Sequence, residues 1–116
     1  MSAGVLKDRL RADLKDAMKE RRGDEMRLLR SLIAAFDNAE AVPVEGMHDH
    51  SRPHRLGEPS SEVARLEVDA AAVSALLAAE IDARLATAND YARHGRDEEA
   101  ARLRAEAAVI GRYGPA

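Results

Sequence analysis

Leu6, Leu10, Leu14 and Met18 recur every four residues, with Lys, Asp and Arg between them, which is the stripe of an amphipathic helix. The same three- and four-residue steps return in Leu28, Leu29, Leu32, Ile33 and Phe36. They return again in Val73, Leu76, Leu77, Ile81, Leu85, Ala88 and Tyr91, and in Leu103, Ala107, Ile110 and Tyr113. The spacing predicts four helices, over about 3–21, 24–40, 69–94 and 97–112. Local punctuation agrees with these limits. Gly23 suits a helix end, Asp24 and Asp69 can cap the N–H groups of the helices that follow them, and Gly95 closes the third. Asp97, Glu98 and Glu99 give the fourth a negative start, which the helix dipole favours.

From Ala41 to Asp69 the period disappears, and Pro43, Pro53, Pro59, Gly46 and Gly57 scatter through the segment. Residues 41–68 are therefore expected to form a long loop, of a length that in a compact domain is either functional or disordered. Val63 to Val68 is a candidate short extended segment within it. The joints at 22–24 and 95–97 are short, so each flanking pair of helices should form an antiparallel hairpin. The expectation is an all-α fold: a four-helix bundle of two antiparallel helical hairpins joined by the long loop, as one domain of 116 residues. The many alanines should let the helices approach closely.

The chain has no cysteine, which excludes disulfides, thiolate zinc sites and cysteine nucleophiles and fits a reducing compartment. Its start, MSAGVLKDRLRADLKD, is charged by the seventh residue, and no run approaches the roughly 20 apolar residues of a membrane span. A soluble, cytoplasmic protein with no membrane partner is expected. The net charge of −3 gives no general pull toward nucleic acid, but its distribution is uneven. Residues 1–36 carry nine Lys/Arg against six Asp/Glu, residues 37–68 three against seven, and residues 69–116 six against eight. Only the first third is basic, and it holds all three lysines, Lys7, Lys15 and Lys19. With one Phe, two Tyr and no Trp, few rings are available to stack on bases.

Chemistry-bearing residues are sparse. His48, His50 and His54, with Asp49, are weak candidates for a borderline metal ion, but their spacing matches no zinc signature, and no metal site or cofactor is expected. Glu98 and Glu99 read as a helix start rather than a catalytic pair. No glycine loop that would cradle a phosphate is present, and no catalytic residue can be assigned. Arg21, Arg22, Arg27 and Arg30 around the first turn, and Arg93, His94 and Arg96 around the second, are the candidates for contacting a phosphate backbone. Antiparallel packing can bring both turns to one end. The competing reading pairs these arginines with nearby acids such as Glu20, Glu25 and Asp97. Alanine-rich Val73 to Ala88 is either a partner surface or, as the favoured reading, a closely packed core helix.

These residues together resemble the YqeY family, which shares homology with the C-terminal tail of the GatB subunit of the tRNA-dependent amidotransferase. LRADLKDAMKERRGDEMRLLRSLIAAFDNAEAV is similar to the family's opening hairpin, including Ala17-Met18-Lys19, Arg30 before an apolar-Ala-Ala stretch, and Asn38-Ala39-Glu40 at the helix end. Further on, Glu80-Ile81, Arg84, Tyr91, Gly95-Arg96-Asp97, Glu106, Ile110, Tyr113 and Pro115 fall where the family places similar residues. Gly111 and Arg112 depart from it, standing where acidic residues are usual. Similar proteins continue past a Tyr-Leu-Pro segment into a smaller second helical bundle. Here that position is Tyr113-Gly114-Pro115 with only Ala116 after it, so the match covers the N-terminal helical part alone and the second bundle is expected to be absent.

The resemblance implies a non-catalytic accessory module linked to tRNA-dependent amidotransfer, the carbon–nitrogen ligation that uses glutamine as amide donor. Its chemistry would lie in other subunits, and its partners would be tRNA or an amidotransferase complex. The Ser-Ser-Lys arrangement of the amidase partner cannot be placed here: Ser60-Ser61 lies in the loop and every lysine in the first helix. The alternative is a protein-interaction or self-associating helical module with no RNA role, acting as a homo-oligomer or on a protein partner.

Overall fold

The computed structural model describes residues 2–41 and 69–114. Four helices, α1 (Ala3–Lys19), α2 (Gly23–Glu40), α3 (Ala70–Arg93) and α4 (Asp97–Gly111), account for nearly all of them, and no strand occurs among the described residues. The expected 41–68 loop beyond Ala41, including the Val63 to Val68 segment, lies outside the described residues.

Two of the helix starts are capped by side chains. Ser2 Oγ accepts the Val5 N–H at 3.3 Å, and Asp69 Oδ1 accepts the Ala72 N–H at 2.8 Å, each satisfying a donor that the first helical turn would otherwise leave open. The expected Asp24 cap does not form. α2 begins one residue earlier, at Gly23, with Arg22 in the capping position and no side-chain hydrogen bond there, while Asp24 pairs with Arg27 in the first turn.

The two hairpin turns share one geometry. At the end of α3 the Arg96 N–H reaches the Tyr91 carbonyl at 2.8 Å and the Gly95 N–H the Ala92 carbonyl at 3.1 Å. Gly95 sits at φ 73°, so this is a Schellman turn with glycine at the left-handed position. At the end of α1 the Arg22 N–H reaches the Ala17 carbonyl at 2.9 Å and the Arg21 N–H the Met18 carbonyl at 3.3 Å. There the left-handed residue is Arg21, at φ 56°, and not Gly23, which the expectation had made the helix end. In both turns the residue that closes one helix, Arg22 or Arg96, also opens the next.

All four helices contribute to a single core. Leu6 and Leu10 of α1, Leu29, Leu32 and Phe36 of α2, and Ile110 of α4 are fully buried, with Val73 and Leu77 of α3 in the same cluster. Helices α1 and α2 pack as one pair, α3 and α4 as the other, giving the two-hairpin bundle. Ala88, Ala100 and Ala107 are also buried, and these small side chains allow close approach of α3 and α4 beyond the shared core.

Two parts of the expected core are not in it. Met18 is 50% exposed and Leu85 39% exposed, because each stands at the edge of its stripe where no opposing helix covers it. The alanine-rich helix is not closely packed all round: of its side chains only Val73, Leu77 and Ala88 are buried. Ala71, Ala75, Ala78, Ala79, Ala83 and Ala86 face solvent.

Candidate functional site

The arginine turns are built as expected, but they do not meet. Arg22 lines a groove of about 260 Å³ together with Val109, Arg112 and Tyr113, so the first turn lies against the C-terminal end of α4. The second turn is the N-terminal end of the same helix. Twelve residues from Asp97 to Val109 correspond to roughly 18 Å along the axis, so the turns occupy opposite ends and the expected shared patch is not formed.

Most of the named arginines are engaged with acids. Arg22 pairs with Glu20 at 2.8 Å and with Glu25, Arg27 with Asp24, and Arg93 with Asp90. Arg96 holds Glu99 at 2.6 Å, rather than the expected Asp97, while its guanidinium lies 5.5 Å from the Tyr91 ring centroid. Hydrogen bonding to Arg96 keeps the Glu99 carboxyl below its ordinary pKa. His94 Nδ1 donates to the Asp90 carbonyl at 2.8 Å, which leaves Nε2 as its free nitrogen in the neutral ring. Arg21 and Arg30 are exposed and make no ion pair among the described residues.

Three polar nodes were not anticipated from sequence. Lys7 is buried at 8% exposure, with its ammonium 3.0 Å from Asp37 and 2.7 Å from Glu40. It ties α1 to the last turn of α2, and its pKa is raised, mainly by the hydrogen bond it donates to Glu40. The only local signal was an Asp and a Glu spaced three apart at the end of the second stripe. Arg84 donates to Glu80 at 2.8 Å, to Glu106 at 3.1 Å and to Ser31 at 3.4 Å, joining α3, α4 and α2. The third node is Tyr113, which donates its hydroxyl to Asp13 while the Arg9 guanidinium lies 5.1 Å over its ring.

The groove around Tyr113 is lined by Arg9, Asp13, Asp16, Arg22, Glu25 and Arg112 among others. Burial, reinforced by Asp13, pushes the tyrosine pKa well above its usual value. A hydroxyl held neutral in this way clamps two hairpins together and does not serve as a base near neutral pH. Among the described residues no group of three His, Cys, Asp or Glu side chains could hold a metal ion. His48, His50 and His54 lie outside the described residues. No described helix is long and apolar enough to cross a membrane.

No family model, curated protein or solved structure matches the chain.

Proposed function

We propose that this is a YqeY-like, non-catalytic accessory module working beside tRNA-dependent amidotransfer, in which glutamine-fed carbon–nitrogen ligation belongs to other subunits. The observation that carries this reading is a surplus of unengaged cations on the first hairpin. Lys15, Lys19, Arg21 and Arg30 are exposed there without an acid partner among the described residues, a distribution suited to a polyanion. The test is a titration of the purified chain against bulk tRNA at low and near-physiological salt, with duplex DNA of matched length as control. Saturable, salt-sensitive binding that prefers tRNA supports the reading. Absence of binding at low salt overturns it.

One observation favours a second reading, a self-associating helical module. Across the exposed positions of residues 70–86, Asp82 is the one charged side chain, in a protein whose composition is 34% charged. Such a face suits burial against another helix. Sedimentation over a hundredfold range of concentration tests it: a mass that doubles, and that the Ala75→Glu/Ala79→Glu variant returns to monomer, supports self-association.

A further inference from the structure

The acids of the first hairpin are nearly all committed elsewhere. Asp37 and Glu40 hold Lys7, Asp13 accepts from Tyr113, Glu20 and Glu25 hold Arg22, and Asp24 holds Arg27. Asp16 lines the groove beside Tyr113. Asp8 reaches Arg11 only at 3.8 Å, with both side chains more than half exposed, which leaves that pair weak.

The remaining cations are ordered in space. Arg11, Lys15 and Lys19 stand four residues apart, so at 100° per residue they form one row on α1, about 6 Å between neighbours and about 12 Å from end to end. All three are exposed, and the buried Leu6, Leu10 and Ala17 occupy the opposite side of the helix. The Lys7 contacts to Asp37 and Glu40 fix the antiparallel register. That register puts Lys15 beside residues 29–32 of α2 and Lys19 beside residues 25–28. Arg30, exposed on the adjoining stretch of α2, stands alongside that row.

We infer that this outer face of the α1–α2 hairpin is a contact surface for the phosphodiester backbone of RNA, and that it, rather than the α3–α4 turn, supplies the salt-dependent part of binding. The inference rests on reading the protein as an RNA-associated module. A narrow row of long, flexible cations with Arg30 beside it matches a line of phosphates. No aromatic side chain lies on the face, so it senses backbone charge and not base identity. Met18 and Val5 are the large apolar side chains exposed on α1, too little to seat the helix in a lipid interface, where a continuous apolar face is required.

The experiment compares three proteins, wild type, Lys15→Gln/Lys19→Gln/Arg30→Gln and Arg93→Gln/Arg96→Gln, each first checked for an unchanged helical melt. Binding to a structured RNA, to single-stranded DNA of equal length and to vesicles of phosphatidylcholine with phosphatidylserine is measured between 50 and 200 mM salt. About four phosphate contacts give a slope of log affinity against log salt near −3, a loss of roughly 60-fold over this range. The inference is upheld if the first variant falls to a slope near −1, roughly a 4-fold loss, on RNA and DNA alike while the second keeps the wild-type slope. RNA binding with its full slope in the first variant, or lost only in the second, overturns the inference and leaves the accessory-module reading standing. Binding to vesicles without binding to RNA, or no binding at 50 mM salt, overturns both.

Discussion

The Tyr113 hydroxyl donates to the Asp13 carboxylate, joining two hairpins through residues a hundred positions apart in the chain. Tyr113 is buried and belongs to the shared core cluster, and Arg9 stacks over its ring. One side chain thus gives apolar contact, a charge-assisted hydrogen bond and a cation–π contact to the same helix. Tyr113→Phe keeps the ring and removes the hydroxyl, so urea unfolding should show a loss of about 1.5–3 kcal/mol. Tyr113→Ala should cost more, about 3–5 kcal/mol. An unchanged midpoint in Tyr113→Phe would mean that the hairpins dock without this clamp.

Lys7 and Tyr113 both make the fold sensitive to alkali. Hydrogen bonding to Glu40 raises the lysine pKa, and burial raises that of the tyrosine. In each case the folded state holds the proton more tightly than the unfolded chain does. The stabilisation is therefore fully present below the unfolded pKa values, about 10 for both groups, and is lost as pH rises through the folded ones. The melting temperature should fall above about pH 10, and Lys7→Met/Tyr113→Phe should start lower at pH 7 but show a flatter alkaline decline. Parallel declines in the two proteins would assign the alkaline effect to other groups.

The matching turns give opposite expectations for glycine. Arg21 adopts a left-handed backbone conformation that costs a side-chain-bearing residue about 1 kcal/mol, so Arg21→Gly should stabilise by about 0.5–1 kcal/mol after allowing for the freer unfolded chain. Gly95 occupies the same position in the second turn at φ 73°, and Gly95→Ala should destabilise by about 1 kcal/mol. Thermal denaturation of the two variants should move in opposite directions.

Features carried by neighbouring residues were the ones legible in the sequence. The limits of all four helices fall within two residues of the expectation, because the apolar stripes, the Asp69 cap and the Gly95 turn are each specified locally. The first turn misled because Gly23 gives a strong local signal two residues from Arg21, where the backbone reversal occurs. The Lys7 node was not legible, since its acidic partners lie 30 and 33 residues away. Arginine positions identified the basic region but not which guanidinium groups were free. That depends on which of several nearby acids the turn and first helical turn present: Arg96 pairs with Glu99, three residues on, and not with the adjacent Asp97.

Leu29 is completely buried in the shared core. Leu29→Asp places a carboxylate there without a partner, at a cost of several kcal/mol against a total stability of about 5–15 kcal/mol for a domain of this kind. Circular dichroism at 25 °C should show most of the helical signal lost.

Arg84 offers a sharper test of how the hairpins are held together. Its side chain is 14% exposed and its guanidinium spans Glu80, Glu106 and Ser31, so three helices converge on one planar group. Arg84→Met preserves much of the aliphatic stem but leaves two largely buried carboxylates without the cation they share, and should lower stability by about 2–4 kcal/mol. Arg84→Lys restores the charge but not the fork that serves separate partners, so it should recover less than half of that loss. Removing both acids with the arginine, in Glu80→Gln/Arg84→Met/Glu106→Gln, relieves the like-charge repulsion and should be more stable than Arg84→Met alone. If that triple variant were instead the least stable, like-charge repulsion between the two carboxylates would not be the source of the loss in Arg84→Met, and Glu80 and Glu106 would have to stabilise the fold through contacts other than those with Arg84.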